Sequence, residues 1–212
     1  MGQHHQLQVY TVKGRALSMR AVLLVAIALA IPVVGLAQPV TPMDVNDKLN
    51  YQIKRSFGLV ALLGDAAYAG ILQEADTPTE WGQGGSGYGK RFGSTVACSG
   101  IHGAMVLGLD STLHEDPRYF RSDGGGFWKR TGHAFRGTLL TRTDRGTETI
   151  SIWRLGSDYG AAYISNQWYP GRLNTVGLGF AEGSLQLGFD LLSNLAAEFW
   201  PDVRHEMRRL KP

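Results

Sequence analysis

The sequence predicts a mainly α, single-domain protein of about five to six close-packed, Gly/Ala-rich helices, and three observations lead there. Residues 92–113 carry one formal charge, Asp110. At about 100° per residue this stretch gathers Gly93, Ala97, Gly100, Ala104, Gly108 and Ser111 on one narrow seam. Near the carboxyl end, Gly177, Ala181, Ser184 and Gly188 repeat that spacing. Finally, Thr41-Pro42, Asp116-Pro117 and Trp200-Pro201 punctuate the chain at helical lengths. A helix that is apolar nearly all round is buried, in a core or in lipid. A seam of small residues lets a second helix approach backbone to backbone, so the two seams are expected to face each other.

In chain order, residues 1–37 read as a signal peptide. Arg20 precedes an apolar run over 21–34, and Gly35-Leu36-Ala37 forms a small-x-small cleavage site before Gln38. Met19 is an alternative start, which would leave His4 and His5 outside the product. The apolar run is too short for a retained anchor. The expected product is a single exported domain over 38–212, in the periplasm or outer membrane. Removing Lys13, Arg15 and Arg20 leaves equal numbers of basic and acidic residues, which argues against nucleic acid as a partner on net charge. Cys98 is the single cysteine, so no intramolecular disulfide forms, and it reads as a small buried hydrophobe.

Thr41, with Pro42 at the first helical position and Asp44 two residues further in, predicts a helix start, with the helix running to about Arg55. Ser56 then caps a second helix over 57–72, whose only charge is Asp65. Residues 82–91 are glycine-rich and read as a flexible connector. Gly84 to Lys90 fits half of a phosphate-cradling loop, but Arg91 stands where Ser or Thr would hold magnesium, and no strand precedes it. After the central helix, a helix is expected over 127–140, a turn over 141–146, and another helix over 149–164 with Gly156 and Gly160 as a small-xxx-small pair. A loop over 166–172 leads to a last long helix over 175–199 and a short basic tail helix from Pro201. Val176, Leu178 and Phe180, then Leu185, Leu187, Phe189 and Leu191, also alternate with period two. With 28 glycines in the chain, a small outer-membrane β-barrel is the alternative fold.

Several phrases resemble a family of uncharacterised exported bacterial proteins of the acidobacterial type. They are Gly87-Tyr88-Gly89-Lys90-Arg91-Phe92-Gly93, Asp116-Pro117-Arg118-Tyr119-Phe120, Thr141-Arg142-Thr143-Asp144, Ile164-Ser165-Asn166 with Tyr169-Pro170, and Glu198-Phe199-Trp200-Pro201-Asp202. The resemblance implies one exported domain in a diderm envelope and transfers no catalytic residue.

Two constellations are candidates for function. His102, Asp110 and His114 are the candidate catalytic residues for a metal-dependent or Ser/His hydrolase of the envelope; Asp110 and His114 lie one turn apart on a helix. Two such residues do not make a metal centre, and neither a metal nor another cofactor is expected. The bland reading has His114 and Asp116 satisfying helix-end groups or pairing with Arg118. The stronger feature is the basic section of Arg118, Arg121, Lys129, Arg130, Arg136, Arg142 and Arg145, interleaved with Trp128 and other aromatics. Cations meet phosphates and rings settle at the interface, so this pattern suits an anionic headgroup zone. The expectation is a non-catalytic, membrane-associated envelope protein, with an anionic lipid or membrane surface and another envelope protein as partners.

Overall fold

The computed structural model describes residues 41–209; the signal-peptide reading, with Met19, His4 and His5, lies outside the described residues. The elements are α1 (Val45–Phe57), α2 (Leu59–Glu74), a 3-10 turn (Thr79–Trp81), α3 (Gly84–Leu113), α4 (Phe127–Leu139), β1 (Leu140–Arg142), β2 (Glu148–Ile150), α5 (Ile152–Ser165), a second 3-10 turn (Asn166–Trp168) and α6 (Val176–Arg209). The protein is mainly α. The barrel alternative falls, because the strands among the described residues are one antiparallel pair, with Leu140 opposite Ile150, Thr141 opposite Thr149 and Arg142 opposite Glu148. The alternation near 176–191 belongs to a helix. Val176 and Phe180 point outward while Gly179 and Gly183 pack inward, which is a period near four.

α3 is the central rod. Helices α1 and α2 follow one another along one side of it, antiparallel to it. At its carboxyl end Lys48 Nζ donates to the Asp110 (3.0 Å) and Glu115 (2.8 Å) carbonyls. Near its amino end Tyr88 OH donates to the Ala66 carbonyl at 3.1 Å. α5 runs antiparallel on the other side of α3. Trp168 Nε1 donates to Ser94 Oγ at 2.9 Å, and Gly156 and Gly160 lie against Leu109 and Met105. Here the small-xxx-small reading holds. α6 returns along α5, its Gly179 and Gly183 lying beneath the rings of Tyr163 and Tyr159, and α4 packs on α6.

The expected pairing of the two small-residue seams does not occur. α3 packs on α1, α2 and α5, whereas α6 packs on α5 and α4. Gly93, Ala97, Ala104 and Gly108 face outward, with open space beyond Gly93 and Gly108; Gly100 meets the Phe57 ring. Gly177 and Ala181 also face outward. The inward face of α3 carries Arg91, Ser94, Thr95, Val106 and Asp110, a face marked mostly by polarity. Polar groups need partners that only neighbouring helices supply, and this fixes which way the rod turns.

Other boundaries move for local reasons. The glycine-rich 82–91 stretch is no flexible connector, because α3 begins at Gly84. The guanidinium of Arg91, fully buried, donates to the carbonyls of Thr77 (2.8 Å), Pro78 (2.7 Å) and Gly82 (2.7 Å), wrapping the preceding turn onto the helix. A side chain at Gly87 would strike the Gly82 carbonyl. Asp44, not Thr41, caps α1 by accepting from the Asp47 amide at 2.7 Å. The break between α1 and α2 is at Gly58 rather than Ser56. Residues 149–150 join β2, and α6 continues through Pro201 to Arg209.

The distribution of polarity is inverted. Among the described residues the buried apolar side chains include Ala69, Val106, Ala134, Trp153, Ala161 and Ala162, while Lys48, Arg91, Asp110, Arg154, Asp158, Asp190 and Glu198 are also buried. On α1, Val45, Leu49, Ile53 and Phe57 form an exposed stripe, and Lys48, Gln52 and Ser56 face inward. Segments Val45–Glu74 and Gly84–Leu113 are long and apolar enough to cross a membrane by length and composition.

Candidate functional site

A cleft of about 1310 Å³ lies between α1–α2 on one wall and α6 on the other, floored by α3 and α5. Helical spacing aims its polar groups. Ser99 and His102 are three apart on α3, Arg154 and Asp158 four apart on α5, and Asp190, Asn194 and Glu198 four apart on α6, so each set shares a face.

The result is a ladder along the molecule. At the upper end, where α2 ends and α3 begins, Glu182 accepts from the Asn166 amide at 2.9 Å; that amide is oriented so that its oxygen accepts from Gly179 N–H at 3.0 Å. Below it Ser99 Oγ donates to Asp65 Oδ1 at 2.9 Å. One turn further down α3, His102 Nε2 meets Asp158 Oδ1 at 2.9 Å and Ser157 Oγ at 3.2 Å. Then Asp190 takes two guanidinium groups, Arg154 at 2.9 Å and Arg55 at 3.0 Å. Arg154 also donates from Nη1 to the Gly137 (2.8 Å) and Thr138 (2.9 Å) carbonyls, so the buried guanidinium is both paired and hydrogen-bonded. Asn194 Nδ2 donates to Thr138 Oγ1 at 2.9 Å.

At the lower end Glu198 is enclosed. Its carboxylate accepts from Tyr119 OH (2.9 Å), Ser122 Oγ (2.8 Å) and the Ser122 amide (3.1 Å), and from Arg130, which also pairs with Asp202. Burial opposes its ionisation, but the Ser122, Tyr119 and Arg130 hydrogen bonds outweigh that and hold the carboxyl below its ordinary range.

His102, Asp110 and His114 are not brought together. His102 engages Asp158, whereas the buried Asp110 carboxylate accepts from Ser111 Oγ at 3.2 Å. His114 is the exposed left-handed cap of α3, with Nδ1 3.5 Å from Asp144. Among the described residues no group of three or more His, Cys, Asp or Glu side chains is placed to hold a metal ion. A Ser-His-Asp relay uses both ring nitrogens of its histidine. Here Ser157 and Asp158 meet the same nitrogen, and Ser157 is wholly buried.

The basic section splits. Arg118 pairs with Asp116 at 2.5 Å, Arg130 with Glu198 and Asp202, and Arg136 with Glu148 at 2.6 Å. Arg142 lies 4.8 Å over the Phe120 ring. Arg121, Lys129 and Arg145 are exposed, and Trp128 is 82% exposed beside Phe127. The ladder residues Arg55, Arg154, Asp158, Glu182 and Asp190 were not singled out from the sequence. The available signal was charge at helical spacing inside Gly/Ala-rich helices, as in Arg154 with Asp158. Comparison with known proteins finds no matching family model, no matching curated sequence and no matching solved structure.

Proposed function

We propose that this chain is a non-catalytic, membrane-resident protein of the cell envelope, exported by the residue 1–37 signal, whose helices turn apolar faces to lipid around a polar cleft. The inverted distribution of polarity carries this reading. Leu59 is 73% and Leu63 61% exposed on α2, and Phe180 60% exposed on α6, while the ion pairs of the ladder lie inside. In water such an exterior is a large apolar surface with no cover. In lipid it is the required one, and interior ionisable groups then mark function. Exposed Arg121, Lys129 and Trp128 supply the cation and ring chemistry of a headgroup zone at the lower end.

The test is fractionation of cells expressing the full chain, followed by washing membranes with high salt and then alkaline carbonate. The protein is expected in the membrane pellet after both. Release by salt would leave only headgroup attraction by the basic section and overturn embedding. Recovery in the low-salt supernatant would overturn membrane residence altogether.

A further inference from the structure

Resting on that membrane reading, we infer that the upper half of the cleft binds the cationic head of an amphiphile, an alkyl ammonium, entering sideways between α2 and α6. Three observations meet there. First, the cleft is open laterally. α6 packs on α5 and α4, and across the gap to α1 runs the Arg55–Asp190 ion pair. The lips are apolar and outward: Val60 on α2 is 44% exposed, and Leu185 and Leu192 on α6 are 47% and 42% exposed, yet all three also line the cleft. An alkyl chain can lie across such lips with its head inside.

Second, two carboxyls inside lack a cation. Asp65 on α2 and Glu182 on α6 line opposite walls, and neither has an ion-pair partner among the described residues. Of the cations lining the cleft, none pairs with Asp65 or Glu182 among the described residues; Lys54 and Arg121 are exposed at its rim, and the inner ones are engaged lower down. Arg55 and Arg154 converge on Asp190, and His102 is held by Asp158. Asp158, 1% exposed and lining the same cleft, has no hydrogen-bond partner for Oδ2. Burial raises the Asp65, Asp158 and Glu182 carboxyls, Glu182 to about 7, so a cationic head is the group that would hold them in the charged form, and an anionic one would find no donor for its charge.

Third, Tyr68 and Tyr169 line the same half of the cleft, within electrostatic reach of Glu182. Aromatic faces beside carboxylates hold alkylated ammonium heads better than bare metal ions.

The experiment uses the full chain in phosphatidylcholine vesicles, with spin-labelled stearylamine and spin-labelled stearate as paired probes. The amine is expected to be motionally restricted by the protein about tenfold more strongly than the stearate, the value of one charge-assisted hydrogen bond. That preference should fall to the stearate level in Glu182→Gln and in Asp65→Asn, with helical circular dichroism as the folding control. Excess dodecyltrimethylammonium should displace the amine from the unaltered protein, an arm that needs no variant. Equal restriction of the two probes, or a preference that survives both substitutions, overturns the inference. Vesicle-bound protein without amine preference overturns this inference alone, whereas protein left in the supernatant overturns the membrane reading with it.

Discussion

Placing a lysine on the outer face of α2 separates a lipid-facing surface from a water-facing one. Leu59 and Leu63 are 73% and 61% exposed and stand one turn apart, so a long side chain at either disturbs no packing. They lie near the middle of the Val45–Glu74 segment. At helical rise that segment spans at most about 45 Å, against a hydrocarbon thickness of about 30 Å. Leu59 therefore sits close to the midplane, and Val45, 63% exposed, sits beyond the hydrocarbon at the far end. Replacing leucine by lysine at a helix centre costs about 3 kcal/mol of insertion, a factor of roughly 150 in partitioning. Leu59→Lys should thus lose most of its carbonate-resistant membrane fraction, and Val45→Lys should keep its own. The assay is that fraction for each variant, with thermal unfolding in detergent as a control. On a water-facing surface both substitutions would be nearly neutral, within about 0.5 kcal/mol. Equal behaviour of Leu59→Lys and Val45→Lys would therefore refute the reasoning, whichever way both moved.

Gly183→Ala places a methyl against the Tyr159 ring and should destabilise by about 1–3 kcal/mol, whereas Gly93→Ala meets open space and should gain about 0.5–1 kcal/mol from helix propensity; paired melting curves in detergent check the contrast, and equal effects would mean that the outward seam of α3 is packed after all. Glu198 titrates in the folded protein below its unfolded value near 4.3, so its stabilisation is present above that value and is lost as pH falls through the folded one. Melting temperature followed from pH 6 down to about pH 3 should fall more steeply for the native chain than for Glu198→Gln, and parallel curves would contradict the assignment.

What was legible in the sequence was length and class. The 92–113 stretch, with a single formal charge, Asp110, and small residues at helical spacing, is a helix as its pattern predicts, and Gly156 with Gly160 does mark a close helix approach. Orientation was not legible from size. Gly93, Ala97, Ala104 and Gly108 form a true seam, but a seam implies contact only if a partner arrives, and α3 meets α1, α2 and α5 elsewhere. The informative residues were Ser94, Thr95, Ser99, His102 and Asp110, which must find partners and so turn inward. The ladder was less legible still, because its bonds are remote in sequence. His102 and Asp158 are 56 residues apart, and Arg55 and Asp190 are 135 apart. No local window pairs them, and each charge read alone looks like an ordinary solvated one.

The basic section illustrates the same limit from the other side. Read as a string, seven cations among aromatics form one surface; folded, Arg130 points into the bundle and helps to close Glu198, while Arg121, Lys129 and Arg145 stay outside. The split follows from α6. Its Asp190, Asn194 and Glu198 occupy successive turns of one face, so each needs donors from whatever packs there. α5 supplies Arg154, and α4 with the 115–125 loop supplies Arg130, Tyr119 and Ser122. Glu182, two turns above Asp190 on the same helix, also lines the cleft but has no ion-pair partner among the described residues. Burial pushes the unpaired Glu182 carboxyl up to about 7, so it takes either a proton or a cation from outside the chain, and that asymmetry is the ground on which the proposed ligand is assigned to the upper cleft rather than to the basic surface.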